Sequence, residues 1–228
     1  MAATRDPVLS MAKQSAILLC AGVTAPAVRV MKVLAVNGSP RKNGNTSLMI
    51  KEIVKLAEAR GAQSTYYDLV DLKVADCKAC MKCRSGEGCS QHDDAEKVIE
   101  GIKEADVVIL GSPVFMGDET GMLKCLADRM YCLLGPAEGS GGFQARIEPG
   151  KKFILVLTCG LADGDKVYNY ISTRYFKLFI KQLEFSDIRT FIIGGANPGM
   201  DARALPKAKE ALQAAGEFLT PPPPMEEE

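Results

Sequence analysis

The chain of 228 residues carries no surplus of either charge, with Lys+Arg and Asp+Glu at 28 each. A zero balance offers no basic surface for nucleic acid and no attraction toward an anionic membrane. No Gly-Lys-Ser/Thr ends a glycine-rich loop, so there is no Walker A motif, and G-x-G-x-x-G spacing is also missing. There is no internal repeat and no acid–base pair suited to demanding covalent chemistry. Histidine occurs once, as His92. It follows a cysteine-rich loop and precedes a helix start, where it reads as a surface residue rather than one that tunes a metal centre. Long apolar runs are lacking too. The best, residues 16–23 (AILLCAGV) after Lys13, hints at a signal peptide or anchor but is short for a membrane span. Met31 opens MKVLAVNGSP like a natural start, so residues 1–30 read as an extension outside the core.

What is present is ordinary for a soluble globular protein: 47% hydrophobic and 25% charged residues. This length forms one α/β domain and buries a core without help from metal or disulfides. Short Val-rich runs alternate with helical patterns. Strands are expected at 32–37, 63–70, 106–110, 152–158 and about 189–193. Helices are expected at about 47–60, from Asp93, and at about 120–134, 165–183 and 201–219. Asp93 and Glu96 fit a D-x-x-E capping pair. This alternation predicts a parallel sheet wound on both faces, with the loops 37–46, 112–117 and 158–164 on the rim at the strands' carboxyl ends. The core domain is 31–219. The proline-rich tail, 220–228, has no core-forming residues and is expected to be mobile.

Eight cysteines are present, four of them within thirteen residues: Cys77, Cys80, Cys83 and Cys89, spaced C-x2-C-x2-C-x5-C in a loop at 73–92. Such a cage suits a [4Fe–4S] cluster, which takes one thiolate per iron. Structural zinc is a second reading, and redox-active or empty thiols a third. The compact run is poor disulfide geometry, and no secretory context makes the cysteines a disulfide framework, so reduced thiols in a cytoplasmic compartment are expected. Lys73, Lys78, Lys82 and Arg84 give the loop a basic bias that either offsets a cluster's charge or is simply solvated. Of the dispersed cysteines, Cys20, Cys125 and Cys132 read as packing residues, while Cys159 is ambiguous. Loop 37–46 gathers hydroxyls, an arginine and backbone N–H groups at a helix start, which makes an anion site. A plain strand–helix turn is the alternative.

MKVLAVNGSPRKNGNT, the cysteine run, the DD pair, ADVVILGSPVFMG and LKCLADR together resemble the iron–sulfur flavoprotein family, of the NADPH-dependent FMN reductase-like, flavodoxin-like group. The resemblance spans roughly residues 31–200. It implies a flavodoxin-like doubly wound five-stranded parallel sheet with a cysteine-rich loop insertion, holding FMN. It further implies that Ser39, Arg41, Asn43, Asn45 and Thr46 hold the FMN phosphate. Pro113, Val114, Phe115, Met116 and Gly117 would flank the isoalloxazine ring, with Thr158, Cys159 and Gly160 facing it. A flavin needs a flat apolar wall with backbone donors and acceptors, and SPVFMG offers both, although Phe115 and Met116 also fit as caps of the core. Lys124, Asp128 and Arg129 share one helix, as a subunit interface or as a solvated face, and a homo-oligomer is expected.

The function implied is FMN-dependent oxidoreduction, with electrons passing between FMN and a [4Fe–4S] cluster and a carrier such as ferredoxin or NAD(P)H as partner. One alternative is an NAD(P)H-dependent FMN or quinone reductase with a merely structural cysteine loop. Another is a zinc-stabilised flavodoxin-like binding module.

Overall fold

Three strands made almost wholly of buried apolar residues form the centre: β1 (Lys32–Asn37), β3 (Val107–Pro113) and β6 (Lys152–Thr158). Strands covered on both faces lose the apolar–polar alternation and read as continuous hydrophobic runs. The edges are β2 (Gln63–Asp68) and β7 (Asp187–Ile193), which are more exposed. The order β2-β1-β3-β6-β7, parallel throughout, is the flavodoxin-like order 2-1-3-4-5. The computed structural model describes residues 29–220 apart from 87, 138, 140, 141 and 180. Most of the 1–30 extension, with Cys20, and the tail from 221 lie outside the described residues.

Successive residues of a strand point to opposite faces. On one face Val33, Ala35, Val107, Ile109, Ile154 and Val156 meet α1 (Asn45–Glu58) and α6 (Pro206–Phe218). On the other, Leu34, Val36, Val108, Leu110, Phe153 and Leu155 meet α2 (Ala95–Glu104), α3 (Gly121–Arg129) and α5 (Asn169–Phe179). Phe153 stacks on Phe179 at 4.0 Å between centroids. Each such side chain, fully buried, contributes about 1.5–3 kcal/mol.

Several sequence expectations change in detail. The helix expected over 120–134 ends at Arg129, passes through a 3-10 turn at Met130–Leu133 and becomes a strand, β4 (Leu134–Pro136). β4 pairs antiparallel with β5 (Phe143–Ala145), so the glycine-rich connection holds a small two-stranded sheet. The helix expected over 165–183 is two pieces, α4 (Gly164–Val167) and α5. The final helix starts at Pro206, after a 3-10 turn at Ala202–Ala204. The D-x-x-E capping pair does not form. The Asp93 carboxylate accepts from Ala95 N at 3.1 Å, while Glu96 faces His92 at 3.7 Å.

Candidate functional site

The strands' carboxyl ends converge on a pocket of about 220 Å³ lined by Ser39, Pro40, Arg41, Gly44, Asn45, Thr46, Pro113, Val114, Phe115, Thr158, Cys159, Gly160, Ala196 and Pro198. Its floor is the turn from β1 into α1. Gly38 lies so close to β3 that a Cβ there would stand 2.9 Å from Gly111 O and 2.9 Å from Leu123 Cβ. The loop is pinned by short bonds: Ser39 N donates to Asn37 Oδ1 at 3.1 Å, Arg41 N to Ser39 Oγ at 3.1 Å, and Thr120 Oγ1 to Gly38 O at 2.7 Å. Helix α1 begins at Gly44 without a side-chain cap and with no acidic residue in its first turn. The first N–H groups of a helix have no intrahelical partners, and the dipole favours an anion there. Arg41 is exposed and makes no ion pair among the described residues. These features fit a phosphate.

The other residues implied by the resemblance are distributed around this pocket. Asn43 is exposed on the loop and does not line it. The Asn45 side chain is engaged elsewhere, with Nδ2 donating to Asn197 O at 3.1 Å and Oδ1 accepting from Ala202 N at 3.1 Å. Thr46 and Thr158 are buried and hydrogen-bonded to each other. Phe115 and Asp118 exchange backbone hydrogen bonds of 2.8 and 3.0 Å around Met116 (φ +48°) and Gly117 (φ +90°). Two central residues with positive φ make a tight hairpin turn. Met116 is left wholly exposed at its tip, with Phe115 half exposed at the rim. An apolar, exposed wall beside an anion cradle fits a flavin. Cys159 is buried, and its thiol leans toward Leu161 O at 3.5 Å.

Behind the rim turn lies a charged cluster that the sequence did not reveal. Glu119 has a side chain only 2% exposed. Arg174 of α5 pairs with Glu119 and with Asp118, the latter at 2.5 Å, and Tyr175 Oη lies 3.5 Å from Glu119. Burial first, then Asp118, push the Glu119 carboxyl up to about 7. Arg174 holds the Asp118 carboxyl well below its usual range.

The four clustered cysteines line a second cavity, of about 500 Å³, with Arg129, Tyr131, Cys132 and Leu178 on its far wall. Cys77 and Cys80 are exposed, Cys83 and Cys89 half-buried. Ala79 and Met81, flanking Cys80, have positive φ of 49° and 60°. Met81 is left-handed and leads straight into the 3-10 turn Lys82–Ser85. Such a left-to-right alternation turns consecutive N–H groups inward, as in the backbone nests around iron–sulfur and phosphate sites. The Ser90 hydroxyl, 3.2 Å from Cys80 Sγ, and the Lys82 N–H lower the Cys80 thiol below its ordinary value. Burial, then the thiols of Cys89, Cys77 and Cys80, raise Cys83.

Among the described residues no three His, Cys, Asp or Glu side chains form a group suited to one metal ion. A single tetrahedral zinc draws its sulfurs to within about 2.3 Å of one point, whereas a cubane spreads four irons over four thiolates. The four cysteines line one cavity of about 500 Å³. No residue of the cysteine loop lines the flavin-type pocket.

The loop is held by groups whose roles were not legible. Arg129, taken above as an interface or solvated residue, has a wholly buried side chain. Its Nη1 donates to Ala75 O (3.0 Å) and Asp93 Oδ2 (2.7 Å), and its Nη2 to Gln91 O (3.0 Å) and Asp93 Oδ1 (3.0 Å). One side chain thus ties both ends of the loop. Asp93 and Asp94 also accept from Ala75 N and Lys73 N, at 2.9 and 2.8 Å. Arg84 lies 3.6 Å over the Phe143 ring and donates to Tyr131 Oη at 2.6 Å, and Arg146 donates to Cys83 O at 2.6 Å. His92 is exposed, as expected. No helix among the described residues is long and apolar enough to cross a membrane.

Comparison with known proteins agrees with this geometry. A family model described as NADPH-dependent FMN reductase matches residues 31–170. An iron–sulfur flavoprotein of Archaeoglobus fulgidus is 33% identical over 168 residues, 74% of this chain and 79% of its own length. One from Methanocaldococcus jannaschii is 37% identical over 99 residues, 43% of this chain and 51% of its own length, so this second match spans about half of that relative. Among solved structures, an NAD(P)H:quinone oxidoreductase from Methanothermobacter marburgensis superposes with a TM-score of 0.64 at 16% identity, over 84% of this chain and 98% of the other. At that identity the likeness is one of fold.

Proposed function

The chain belongs to the NADPH-dependent FMN reductase family, among its iron–sulfur flavoproteins, and from that premise we propose that this FMN-dependent oxidoreductase passes electrons between FMN and a [4Fe–4S] cluster. FMN exchanges electrons in ones or twos and the cluster in ones. The chain's own part is to bind and orient both. Ser39, Arg41, Thr46 and the first turn of α1 hold the phosphate, while Asn43 stays on the exposed side of the loop. Asn45 contributes through its backbone and fixes the 197–202 segment against the pocket. Pro113, Val114, Phe115, Met116 and Gly117 form the ring's wall, and Thr158, Cys159 and Gly160 its opposite side. Cys77, Cys80, Cys83 and Cys89 ligate the cluster. A one-electron carrier such as ferredoxin, or NAD(P)H, supplies or removes electrons, and the working unit is a homo-oligomer.

The observation that carries this reading is the cysteine cavity. Four thiols surround one space, a left-handed backbone flanks Cys80, and a buried arginine anchors both ends of the loop. The family's NADPH-dependent FMN reductase description favours one rival, a flavin reductase whose cysteine loop is structural. Protein purified without oxygen separates the two. The proposal expects about four irons and four sulfides per chain, FMN identified by chromatography, and flavin reduction by a reduced one-electron carrier. A chain reconstituted with FMN that lacks iron and sulfide, yet is reduced rapidly by NADPH, establishes the rival.

A further inference from the structure

Arg129, with a wholly buried side chain, forms part of the cysteine cavity's wall. A guanidinium has five N–H donors in a rigid fork. The two Nη groups make the four bonds to Ala75, Gln91 and Asp93 described above. The Nε–H is buried and has no hydrogen-bond partner among the described residues. A buried donor left without a partner has lost its water and gained nothing in return, so such a group needs an explanation. Half-buried Cys89 lines the same cavity as Arg129.

We propose that Arg129 is a positioning residue of the cluster site, whose free Nε–H is reserved for the Cys89 sulfur when that sulfur carries iron. The inference rests on the cluster reading above. Asp93 neutralises most of the arginine's charge, so what remains at the sulfur is chiefly a directed N–H···S hydrogen bond. Such bonds, with net charge and solvent exposure, set cluster potentials by favouring the reduced, more negative state. The other cations of the loop act less directly. Lys78 and Lys82 are exposed, and Arg84 is committed to Phe143 and Tyr131. A lysine at 129 keeps the charge but not the planar fork.

The experiment uses anaerobic, cluster-loaded full-length protein labelled with 15N at arginine Nε, with the cluster reduced for pulsed EPR. The wild type is expected to show 15N coupling to the cluster, and Arg129→Lys to lose it. In redox titrations followed by EPR, Arg129→Lys is expected to titrate at a lower potential than the wild type. Asp93→Asn, which removes the counter-charge, is expected at a higher one. If Arg129→Lys does not fold, the labelled wild type and Asp93→Asn decide the matter. A cluster-loaded wild type without 15N coupling, or an unchanged potential in the variants, overturns the role of Arg129 and leaves the cluster standing. A wild type without iron and sulfide overturns the cluster reading, and this inference with it.

Discussion

The hydroxyls of Thr46 and Thr158 lie 2.7 Å apart, both buried, and join the first turn of α1 to the last residue of β6. This contact crosses 112 residues of sequence and sets the width of the pocket between phosphate loop and β6 rim. Thr158→Val keeps the shape but leaves the Thr46 hydroxyl without its partner. The expected loss is about 1–3 kcal/mol of stability in the FMN-free protein, read from urea unfolding. A loss too small to resolve makes the pair incidental.

Arg41→Ala removes an exposed guanidinium that has no ion pair of its own among the described residues, so little stability should change. FMN affinity should fall by about 10- to 100-fold, matching the ~1.5–3 kcal/mol of a hydrogen bond to a charged group. Flavin fluorescence titration measures it. Equal affinity in the variant removes Arg41 from the phosphate site.

Cys80→Ala should abolish or convert the cluster while FMN stays bound, because the two cavities share no lining residue. Iron and sulfide analysis reads the first effect and the flavin absorbance the second. Reduction of the flavin by dithionite should survive, whereas reduction through a one-electron carrier should drop sharply. Cys132→Ala should keep its iron, since Cys132 is buried in the apolar core beside the cavity. Full iron in Cys80→Ala contradicts the ligand assignment.

Glu119 makes stability depend on pH in an unusual direction. Its folded pKa of about 7 lies above the ordinary 4.5, so the folded protein holds a proton that the unfolded chain releases. That contribution is complete below about pH 4.5 and disappears as pH rises through about 7. Asp118, held low by Arg174, acts oppositely: its contribution is present above the ordinary 3.8 and disappears only in stronger acid. Denaturant unfolding at several pH values should show the wild type losing stability relative to Glu119→Gln from about pH 5 to about pH 7.5. Parallel curves show that Glu119 is ionised throughout.

Sedimentation of cofactor-loaded protein should give a homo-oligomer. Phe115, Met116, Leu161, Val167 and Tyr170 are all exposed on the rim loops and α4–α5, and apolar surface of this kind favours a partner. A monomer at micromolar concentration contradicts it.

The parallel sheet and the rim loops were legible because their signals are local. Buried Val-rich runs, a Gly/Ser/Asn loop after β1 and the SPVFMG turn after β3 each announce themselves within ten residues. The latch on the cysteine loop was not. Arg129 shares a helix with the exposed Lys124–Asp128 pair, and its partner Asp93 lies 36 residues away. Asp93 itself read as half of a capping pair; it keeps a local bond from Ala95 N and adds the longer-range one from the arginine. The Glu119–Arg174 contact, 55 residues apart, was hidden in the same way. The glycine-rich stretch between β4 and β5 read as connection because strand propensity there is weak. Its pairing is fixed instead by Arg84 stacking on Phe143 and Arg146 reaching Cys83 O.

The Arg129 latch has a consequence for how the protein is assembled. The cysteine loop is tied down mostly by hydrogen bonds at its two ends, and its own residues contribute little buried apolar surface. Segments of that kind open as separate cooperative units at a fraction of the cost of global unfolding. The flavin half is therefore equipped to fold first, around a sheet that does not need the loop. On the proposed cluster reading, the loop then opens to receive iron and sulfide and closes onto an arginine already fixed at the end of α3. Backbone amides at 76–90 should exchange hydrogen far faster than those of β1 and β3 before the cluster is inserted, and slow down once it is in.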